Sequence, residues 1–357
     1  MKSVVLAGGH GTRLKPLTHA TQKQLLPVAN NPVIEHIIEN LREAGIDEIG
    51  IVLGGSYPEQ IEEHVGDGSE YGVEVSYIHQ GEPLGLAHAV SCAEDFVGDD
   101  DFIVYFGDTI VLGDIVDELV DAFSSETPGA AVCLQTVDDP SRFGIAELDD
   151  DDNITAVLEK PEDPPTDLAY IGVLAFSSDV FGVIERIEPS WRGELELTDV
   201  LDEIAHSDKP IHWKRYSDVW MDVGTPADLI ETNRILLDRS RDSFTDEVPG
   251  DATVQGPVEV GDNCQVASDV VIEGPVSIGN DVTLESGAHI GPYASLGDGV
   301  TVEGSTIESS VLLAGSTVVG ERTLSGSILG ERTTIDEPEN DGDERYVVGH
   351  ESEIITD

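Results

Sequence analysis

Apolar residues follow two different periods in residues 1–240, and these periods alternate along the chain. The segment SVVLAG, residues 3–8, is an unbroken apolar run of the kind found in strands buried on both faces. The segment NNPVIEHIIENLREAG, residues 30–45, has apolar residues at helical spacing, with Asn31 as cap, Pro32 at the first position and Gly45 at the end. Continued alternation predicts a Rossmann-like α/β domain with a mostly parallel sheet covered by helices.

A third period begins at Val254, where an aliphatic residue recurs at every sixth position. Each hexad predicts a short strand and a turn, and three hexads make one triangular coil, so a left-handed parallel β-helix is predicted. The strict hexads correspond to about three coils, and looser repeats beyond a break at residues 307–313 add one or two more, up to Ile335. The strictly spaced residues are Val254, Val260, Val266, Ile272, Ile278, Leu284, Ile290, Leu296 and Val302.

These patterns divide the chain into segments. Residues 1–240 are predicted to form the α/β domain, and the polar stretch RSRDSFTDEVPGD, residues 239–251, is predicted to be a linker. Residues 251–335 are the predicted β-helix. Residues 336–357 are acidic with one apolar patch, YVVGH, and are expected to cap the β-helix or to remain loose.

The composition is extremely acidic, with 72 Asp and Glu against 18 Lys and Arg and a formal net charge of −54. Such self-repulsion destabilises a compact state at low ionic strength, whereas at 1 M salt the screening length is about 3 Å. We therefore expect a halophilic, cytoplasmic protein. Nucleic acids and anionic membranes are poor partners for it because they bind basic faces.

Cys92, Cys133 and Cys264 are widely spaced, which is typical of reduced thiols.

Two features of the N-terminal region suggest a ligand site. Ligands of open α/β sheets bind at the carboxyl ends of the strands, and Gly8–Arg13, Gln80 and Asp108 each follow a predicted strand. The loop LAGGHGTRLKPLTHATQKQLLPV, residues 6–28, contains Arg13, Lys15 and Lys23 and no acid. Glycine N–H groups can approach a triphosphate, and the cations would balance its charge. The alternative interpretation is a tight turn with solvated cations.

Several motifs together resemble the signature of the sugar-1-phosphate nucleotidylyltransferase family. After the loop, HQGEPLGLAHAV, FGDTI, RFGIAEL, VLEKP, SWRGELELTD and WMDVGTPADL follow in that family's order, over residues 1–237. With the hexads, the chain resembles the long form of the glucose-1-phosphate thymidylyltransferases. The resemblance implies that glucose 1-phosphate attacks the α-phosphorus of dTTP with Mg²⁺ present, and that pyrophosphate leaves.

The resemblance also implies individual roles. Arg13 would stabilise the leaving pyrophosphate, Lys23 would hold the nucleotide phosphates, and Lys160 would hold the sugar phosphate. Asp108 and Asp222 match the family's metal ligands. The implied nucleotide-binding residues are Leu6, Gly8, Gly9, Gly11, Thr12, Arg13, Lys23, Gln24, Gln80, Gly85 and Asp108. The implied sugar-phosphate-binding residues are Thr109, Gly144, Glu159, Lys160, Tyr170, Thr198 and Trp220.

The choice of base depends on the amides of Gln24 and Gln80, with Gly85 letting the base lie close to the backbone. An amide has both a donor and an acceptor, which suits a pyrimidine edge. Thymine and uracil differ by one methyl group, worth about 1–3 kcal/mol in a pocket, so UTP remains an alternative to dTTP. Thr109 replaces the Asn usual in the family, and Gln22 replaces the usual Pro.

Two other functional classes fit the repeats less well. Hexapeptide acyltransferases need a catalytic histidine between coils, and His289 alone lies within the regular hexads. A non-catalytic sensor of sugar nucleotides should have lost its cations or metal carboxylates. This chain keeps all of them: Arg13, Lys23, Asp108, Lys160 and Asp222. The flat side faces and open end of a β-helix suit stacking, so a homo-oligomer is expected.

Overall fold

The computed structural model describes residues 1–124, 128–240, 248–336 and 343–355. Most of the predicted linker therefore lies outside the described residues, as does part of the predicted tail. In residues 1–240 the strands are β1 (Lys2–Ala7), β2 (Pro27–Val28), β3 (Asn31–Pro32), β4 (Glu48–Leu53), β5 (Glu74–His79), β6 (Phe102–Phe106), β7 (Thr109–Val111), β8 (Ala130–Thr136), β9 (Gly144–Leu148), β10 (Ile154–Glu159), β11 (Leu168–Phe176), β12 (Ile211–Arg215) and β13 (Trp220–Asp222).

Eight α-helices accompany these strands in the described residues. Helix α1 begins at Val33, one position after the predicted first residue Pro32, and its apolar stripe of Ile34, Ile37 and Leu41 is fully buried. The helices are α1 (Val33–Glu43), α2 (Pro58–Val65), α3 (Leu86–Ser91), α4 (Glu94–Val97), α5 (Ile115–Ser124), α6 (Val180–Ile184), α7 (Leu197–Ala205) and α8 (Pro226–Ser240). Across the described part of the chain, none of them has the length and apolarity that a membrane crossing requires.

Most of the strands join one mixed sheet, which has nine strands within the described residues. Its path is β10-β9-β11-β6-β1-β4-β5, with β8 beside β11 and β12 beside β8. The pairs β6-β1, β1-β4 and β4-β5 are parallel, as predicted, whereas β11 is antiparallel to β6, β8 and β9. The carboxyl ends of β1, β4, β5 and β6 therefore lie along one edge.

Helices cover both faces of this sheet, as the Rossmann-like prediction requires. Neighbouring residues of a strand point to opposite faces. On β6, Val104 belongs to the apolar core formed with α3, α6 and α7. Tyr105 faces the other way, where its hydroxyl accepts a hydrogen bond from Asn40 of α1 at 3.1 Å.

The C-terminal half forms the predicted left-handed parallel β-helix, with three parallel sheets of six strands each in the described residues. Its strands are β14 (Thr253–Gln255), β15 (Val258–Val260), β16 (Gln265–Val266), β17 (Val271–Glu273), β18 (Val276–Ile278), β19 (Thr283–Leu284), β20 (His289–Ile290), β21 (Ser295–Leu296), β22 (Thr301–Glu303), β23 (Thr306–Glu308), β24 (Val311–Leu312), β25 (Thr317–Val319), β26 (Thr323–Ser325), β27 (Ile328–Leu329), β28 (Thr334–Asp336), β29 (Asp343–Glu344), β30 (Val347–Val348) and β31 (Glu353–Ile355).

The hexad residues stack coil upon coil. Val254 pairs with Ile272, and Ile272 with Ile290, so that each partner lies three strict hexads further along the chain. After the predicted break each coil is slightly shorter than three hexads, and Ile290 pairs with Ile307 and Ile307 with Leu324. The inward direction of the aliphatic side chains survives this change, because Ile290, Ile307 and Leu324 are all completely buried.

The last coil differs from the expectation for residues 336–357. Strands β29, β30 and β31 are the final strands of the three sheets. Val348 pairs with Leu329, and Ile354 pairs with Ile335, so this coil is slightly longer than three hexads. The described part of the predicted tail therefore forms a sixth coil. The sequence did not predict it because the spacing lengthens and few aliphatic residues remain.

Contacts divide the chain into two compact units that do not follow chain order. The first unit is Met1–His10 with Ile34–Met221, and the second is Gly11–Val33 with Asp222–Asp357. The second unit thus contains both the cationic part of the loop and the β-helix. The segment boundaries at residues 240 and 251 remain predictions, whereas the β-helix continues past its predicted end at residue 335.

Candidate functional site

In the first unit, glycines and one glutamine lie at the carboxyl edge of the parallel strands. Leu6, near the end of β1, is buried and pairs with Val52 and Phe106. Gly8 follows β1, and a methyl group on it would lie only 2.6 Å from Oε1 of Gln80. Gly9 follows Gly8 and is half-buried. The backbone of Gly8 and Gly9 can therefore be approached closely, because glycine has no side chain.

The amide of Gln80 is held in one orientation. Its Nε2 donates to the carbonyl of Gly85 at 3.1 Å and lies 3.3 Å from Nδ1 of His88. Gly85 has φ of +116°, and a methyl group on it would lie 2.4 Å from the carbonyl oxygen of Leu195. Only glycine fits that position. The predicted residues Gln80 and Gly85 are thus brought together, and His88 is a contact that sequence reasoning missed.

The two predicted metal ligands lie at strand ends. Asp108 is half-buried between β6 and β7, and Thr109 beside it is fully buried. The hydroxyl of Thr109 lies 2.7 Å from where a methyl group on Gly172 of β11 would be. Asp222, also half-buried, is the last residue of β13, the strand that pairs with β7. In the described residues, no cluster of three or more His, Cys, Asp or Glu side chains could hold a metal.

Three predicted sugar-binding residues meet around one glycine. A methyl group on Gly144, at the start of β9, would lie 2.1 Å from the ring of Tyr170 and 2.8 Å from the methyl group of Thr198. Tyr170 comes from β11 and Thr198 from α7, and both are buried. The hydroxyl of Thr198 donates to Glu159 at 3.4 Å, which joins the carboxylate to this group.

Glu159 is also the centre of a charged network. Its Oε1 lies 2.6 Å from Nζ of Lys160 and 3.3 Å from the guanidinium of Arg192. Arg192 is paired in turn with Glu194 and Glu196, each at 3.2 Å. Burial raises the pKa of the Glu196 carboxyl, a shift that the neighbouring Glu159 reinforces and Arg192 opposes.

Arg192 lies close in sequence to Glu194 and Glu196, the carboxylates with which it also pairs. Its contact with Glu159 links residues far apart in sequence, so no local signal could have revealed it.

An aromatic pair lies beside this network. Trp220 of β13 packs on Phe143 with ring centroids 5.1 Å apart and an interplanar angle of 59°. The carbonyl of Phe143 accepts a hydrogen bond from the backbone of Lys160 at 3.0 Å, so Phe143 connects the tryptophan to the Glu159 network. Sequence reasoning included Trp220 and missed Phe143.

In the second unit, the cationic part of the loop packs on itself. Gly11 has φ of +58°, and its carbonyl accepts a hydrogen bond from Thr18 at 2.7 Å. A methyl group on Gly11 would lie 3.0 Å from Cβ of Lys23. Thr12 and Arg13 are exposed in the short turn that follows Gly11.

Two further residues of this unit have distinctive surroundings. A methyl group on Gly224 would lie 3.0 Å from the guanidinium of Arg13. Because glycine has no side chain, the guanidinium fits beside residue 224. Gln24 is completely buried, and neither atom of its amide has a hydrogen-bond partner among the described residues. An unpaired buried amide is costly unless a ligand satisfies it.

The histidine on which acyl transfer would depend, His289, has a different contact. Its Nε2 lies 3.1 Å from Glu273 on the neighbouring coil, and both side chains are partly exposed. This is a side-chain contact on the surface of the β-helix.

Comparisons with known proteins show which proteins this chain is similar to. The Nucleotidyl transferase family model matches residues 2–239. The chain is 47% identical to the "Low-salt glycan biosynthesis nucleotidyltransferase Agl11" of Haloferax volcanii, over 99% of both chains. It is 39% identical to the glucose-1-phosphate thymidylyltransferase of Streptomyces antibioticus, again over 99% of both chains.

A solved structure is similar to about two thirds of the chain. A Bacillus anthracis protein, assigned as a glucose-1-phosphate thymidylyltransferase and crystallised with sucrose, matches with a TM-score of 0.62 at 38% identity. The match covers 66% of this chain and 94% of that chain. Together with the family match and the two full-length relatives, this establishes that the chain belongs to the nucleotidyl transferase family.

Proposed function

We propose that this protein transfers a thymidylyl group from dTTP to glucose 1-phosphate, giving dTDP-glucose and pyrophosphate. The observation that carries the proposal is the group around Gly144. A carboxylate, a hydroxyl and an aromatic ring converge there from different elements, and these are the groups that bind a hexose. The Streptomyces and Bacillus relatives named as glucose-1-phosphate thymidylyltransferases support the same substrates.

Each side chain would act by positioning and by balancing charge, because phosphoryl-type transfer needs in-line geometry more than a covalent catalyst. Glu159 would accept hydrogen bonds from sugar hydroxyls, while its contacts with Lys160 and Arg192 hold it in place. Lys160, whose side chain is half exposed, would hold the phosphate of glucose 1-phosphate. Arg13 would stabilise the leaving pyrophosphate, and Lys23 would hold the nucleotide phosphates.

Mg²⁺ belongs to this proposal, with Asp108 and Asp222 as the residues that would hold it. Both are half-buried carboxylates at strand ends, and Mg²⁺ is commonly bound by one or two carboxylates together with phosphate oxygens. The bound ion would neutralise charge on the phosphates. Since the described residues contain no cluster of three metal-binding side chains, the remaining ligands would come from substrate and water.

The base would be read by the amides of Gln24 and Gln80. Both amide atoms of Gln24 lack partners among the described residues, and the edge of a pyrimidine offers a matching donor and acceptor. Uracil has the same edge, so UTP is the competing nucleotide. The Agl11 relative, named for glycan biosynthesis, gives no preference between the two.

The test is a comparison of kcat/KM for dTTP and UTP with glucose 1-phosphate, in molar KCl with and without Mg²⁺. We expect pyrophosphate release that requires both the sugar phosphate and Mg²⁺. We also expect a preference for dTTP of about 10- to 200-fold, the usual value of one methyl group in a pocket. Equal or greater activity with UTP would make the protein a uridylyltransferase. Release without glucose 1-phosphate would contradict sugar transfer altogether.

A further inference from the structure

The sixth coil of the β-helix contacts the cationic part of the loop directly. Nε2 of His350 lies 2.8 Å from the carbonyl oxygen of Leu17, and the imidazole is nearly buried, with 5% of the side chain exposed. Nδ1 of His350 accepts a hydrogen bond from the backbone N–H of Glu331 at 3.2 Å. That bond leaves the proton on Nε2, so Nε2 is the donor to Leu17.

The neighbouring glycine brings the two backbones close together. A methyl group on Gly349 would lie 3.1 Å from the carbonyl oxygen of Pro16 and 3.3 Å from Cβ of Pro16. Any side chain at position 349 would therefore press on the loop.

Leu17 is rigidly connected to the residues that would bind phosphate. The next residue, Thr18, is buried and donates to the carbonyl of Gly11 at 2.7 Å. Gly11 packs against both Thr18 and Lys23. Because the loop is packed this tightly, a shift at Leu17 would be transmitted to Gly11 and Lys23.

A second attachment holds the other end of the loop. Oδ1 of Asn233, on helix α8, accepts hydrogen bonds from the backbone N–H of Ala29 at 2.8 Å and from Ser295 at 2.7 Å. Nδ2 of Asn30 donates to Ser277 at 2.9 Å and to the carbonyl of Leu296 at 3.1 Å. The loop is thus fixed to the side of the second and third coils as well as to the sixth.

We propose that the sixth coil is a positioning element for nucleotide binding, with His350 as the positioning residue that fixes the loop through Leu17. This inference rests on the proposed function, because it takes the loop to bind the nucleoside triphosphate. It gives the segment after Asp336 a role in the enzyme's affinity for its nucleotide. Residue 350 itself is not expected to contact any substrate.

The test uses the full-length chain and three variants. His350→Ala removes the donor to Leu17, and His350→Gln keeps a donor nitrogen close to the place of Nε2. His289→Ala is the matched control, because it removes a histidine of the β-helix whose contact is with Glu273 and leaves the loop attachments intact. Hydrogen exchange of the amides of residues 11–25 is measured without substrate, and KM and kcat are measured with dTTP.

We expect His350→Ala to speed exchange in residues 11–25 and to raise KM for dTTP about threefold to tenfold, the effect of one lost hydrogen bond. Its kcat and its KM for glucose 1-phosphate should stay close to those of the unaltered protein, because only nucleotide binding is weakened. His350→Gln should restore both properties, and His289→Ala should behave like the unaltered protein.

Unchanged exchange in His350→Ala would overturn the positioning role, whatever the kinetics show. Faster exchange with an unchanged KM for dTTP would also overturn it, because the loop would then move without affecting the nucleotide. These failures are separate from failure of the proposed function, which would appear as absent nucleotidyl transfer in the unaltered protein.

Discussion

The nine-stranded sheet and the β-helix bring residues together in different ways. In the sheet, Leu6 lies between Val52 and Phe106, so each strand adds side chains from a distant part of the sequence. In the β-helix, Ile272 lies between Val254 and Ile290, and each coil adds another aliphatic residue at the same place. The sheet can therefore assemble unlike chemical groups at one edge, whereas the coils build a uniform core and a repeated outer surface.

Salt concentration should have the largest effect, and it tests both regions at once. Because the net charge of −54 is spread over the chain, we expect unfolding as KCl falls from about 1 M to about 0.1 M, where the screening length grows from about 3 Å to about 10 Å. Trp191, Trp213 and Trp220 are the only tryptophans of the chain and lie in the first unit, so their fluorescence reports on the sheet. Circular dichroism reports on both regions.

Two transitions at different salt concentrations would mean that the regions unfold separately. A melting temperature that does not depend on salt would contradict the halophilic interpretation.

The sheet should be most sensitive to change where unlike groups meet. Gly144→Ala would place a methyl group 2.1 Å from the buried ring of Tyr170. Overpacking of this kind costs up to about 3 kcal/mol of stability and forces the ring to move. A displaced sugar-binding group should raise KM for glucose 1-phosphate about tenfold, the equivalent of about 1.4 kcal/mol of binding. Gly182→Ala is the matched control, because its nearest neighbouring atom is 3.9 Å away, on Arg186. Equal KM values for the two variants would show that the space at Gly144 does not serve the sugar.

In the β-helix, the stability lost on substitution should depend on how buried the residue is rather than on its position in the hexad. Val302 and Val254 occupy equivalent places in the repeat, yet Val302 is fully buried and Val254 is 41% exposed. We expect Val302→Ala to lower the free energy of unfolding by about 2 kcal/mol, from lost burial and a small cavity. Val254→Ala should change it by less than about 0.5 kcal/mol. Equal losses in urea denaturation would mean that the first coil is packed as tightly as the third.

The candidate site could be predicted only in part from the sequence. Motif order correctly grouped Gly144, Tyr170 and Thr198, which the structure brings into contact. It did not reveal Phe143 or the contact of Arg192 with Glu159, because those side chains come from elements whose neighbours depend on how the sheet is ordered. The proposed roles in nucleotide, sugar and metal binding remain predictions.

Several features of this protein are encoded in short windows of its sequence. The helical spacing after Pro32 predicted α1, and the strict spacing of six predicted the buried aliphatic residues of the second and third coils, whereas Val254 in the first coil is 41% exposed. Each depends only on a residue and its near neighbours, so the pattern is visible along the chain.

Which distant segments meet is visible only in the folded protein. Residues 343–355 complete a sixth coil although their spacing has lengthened beyond three hexads, and His350 within that coil reaches the carbonyl of Leu17. A contact between residues so far apart in the sequence depends on the path of the whole chain. No local period records that path, because many chain paths share the same strands and helices.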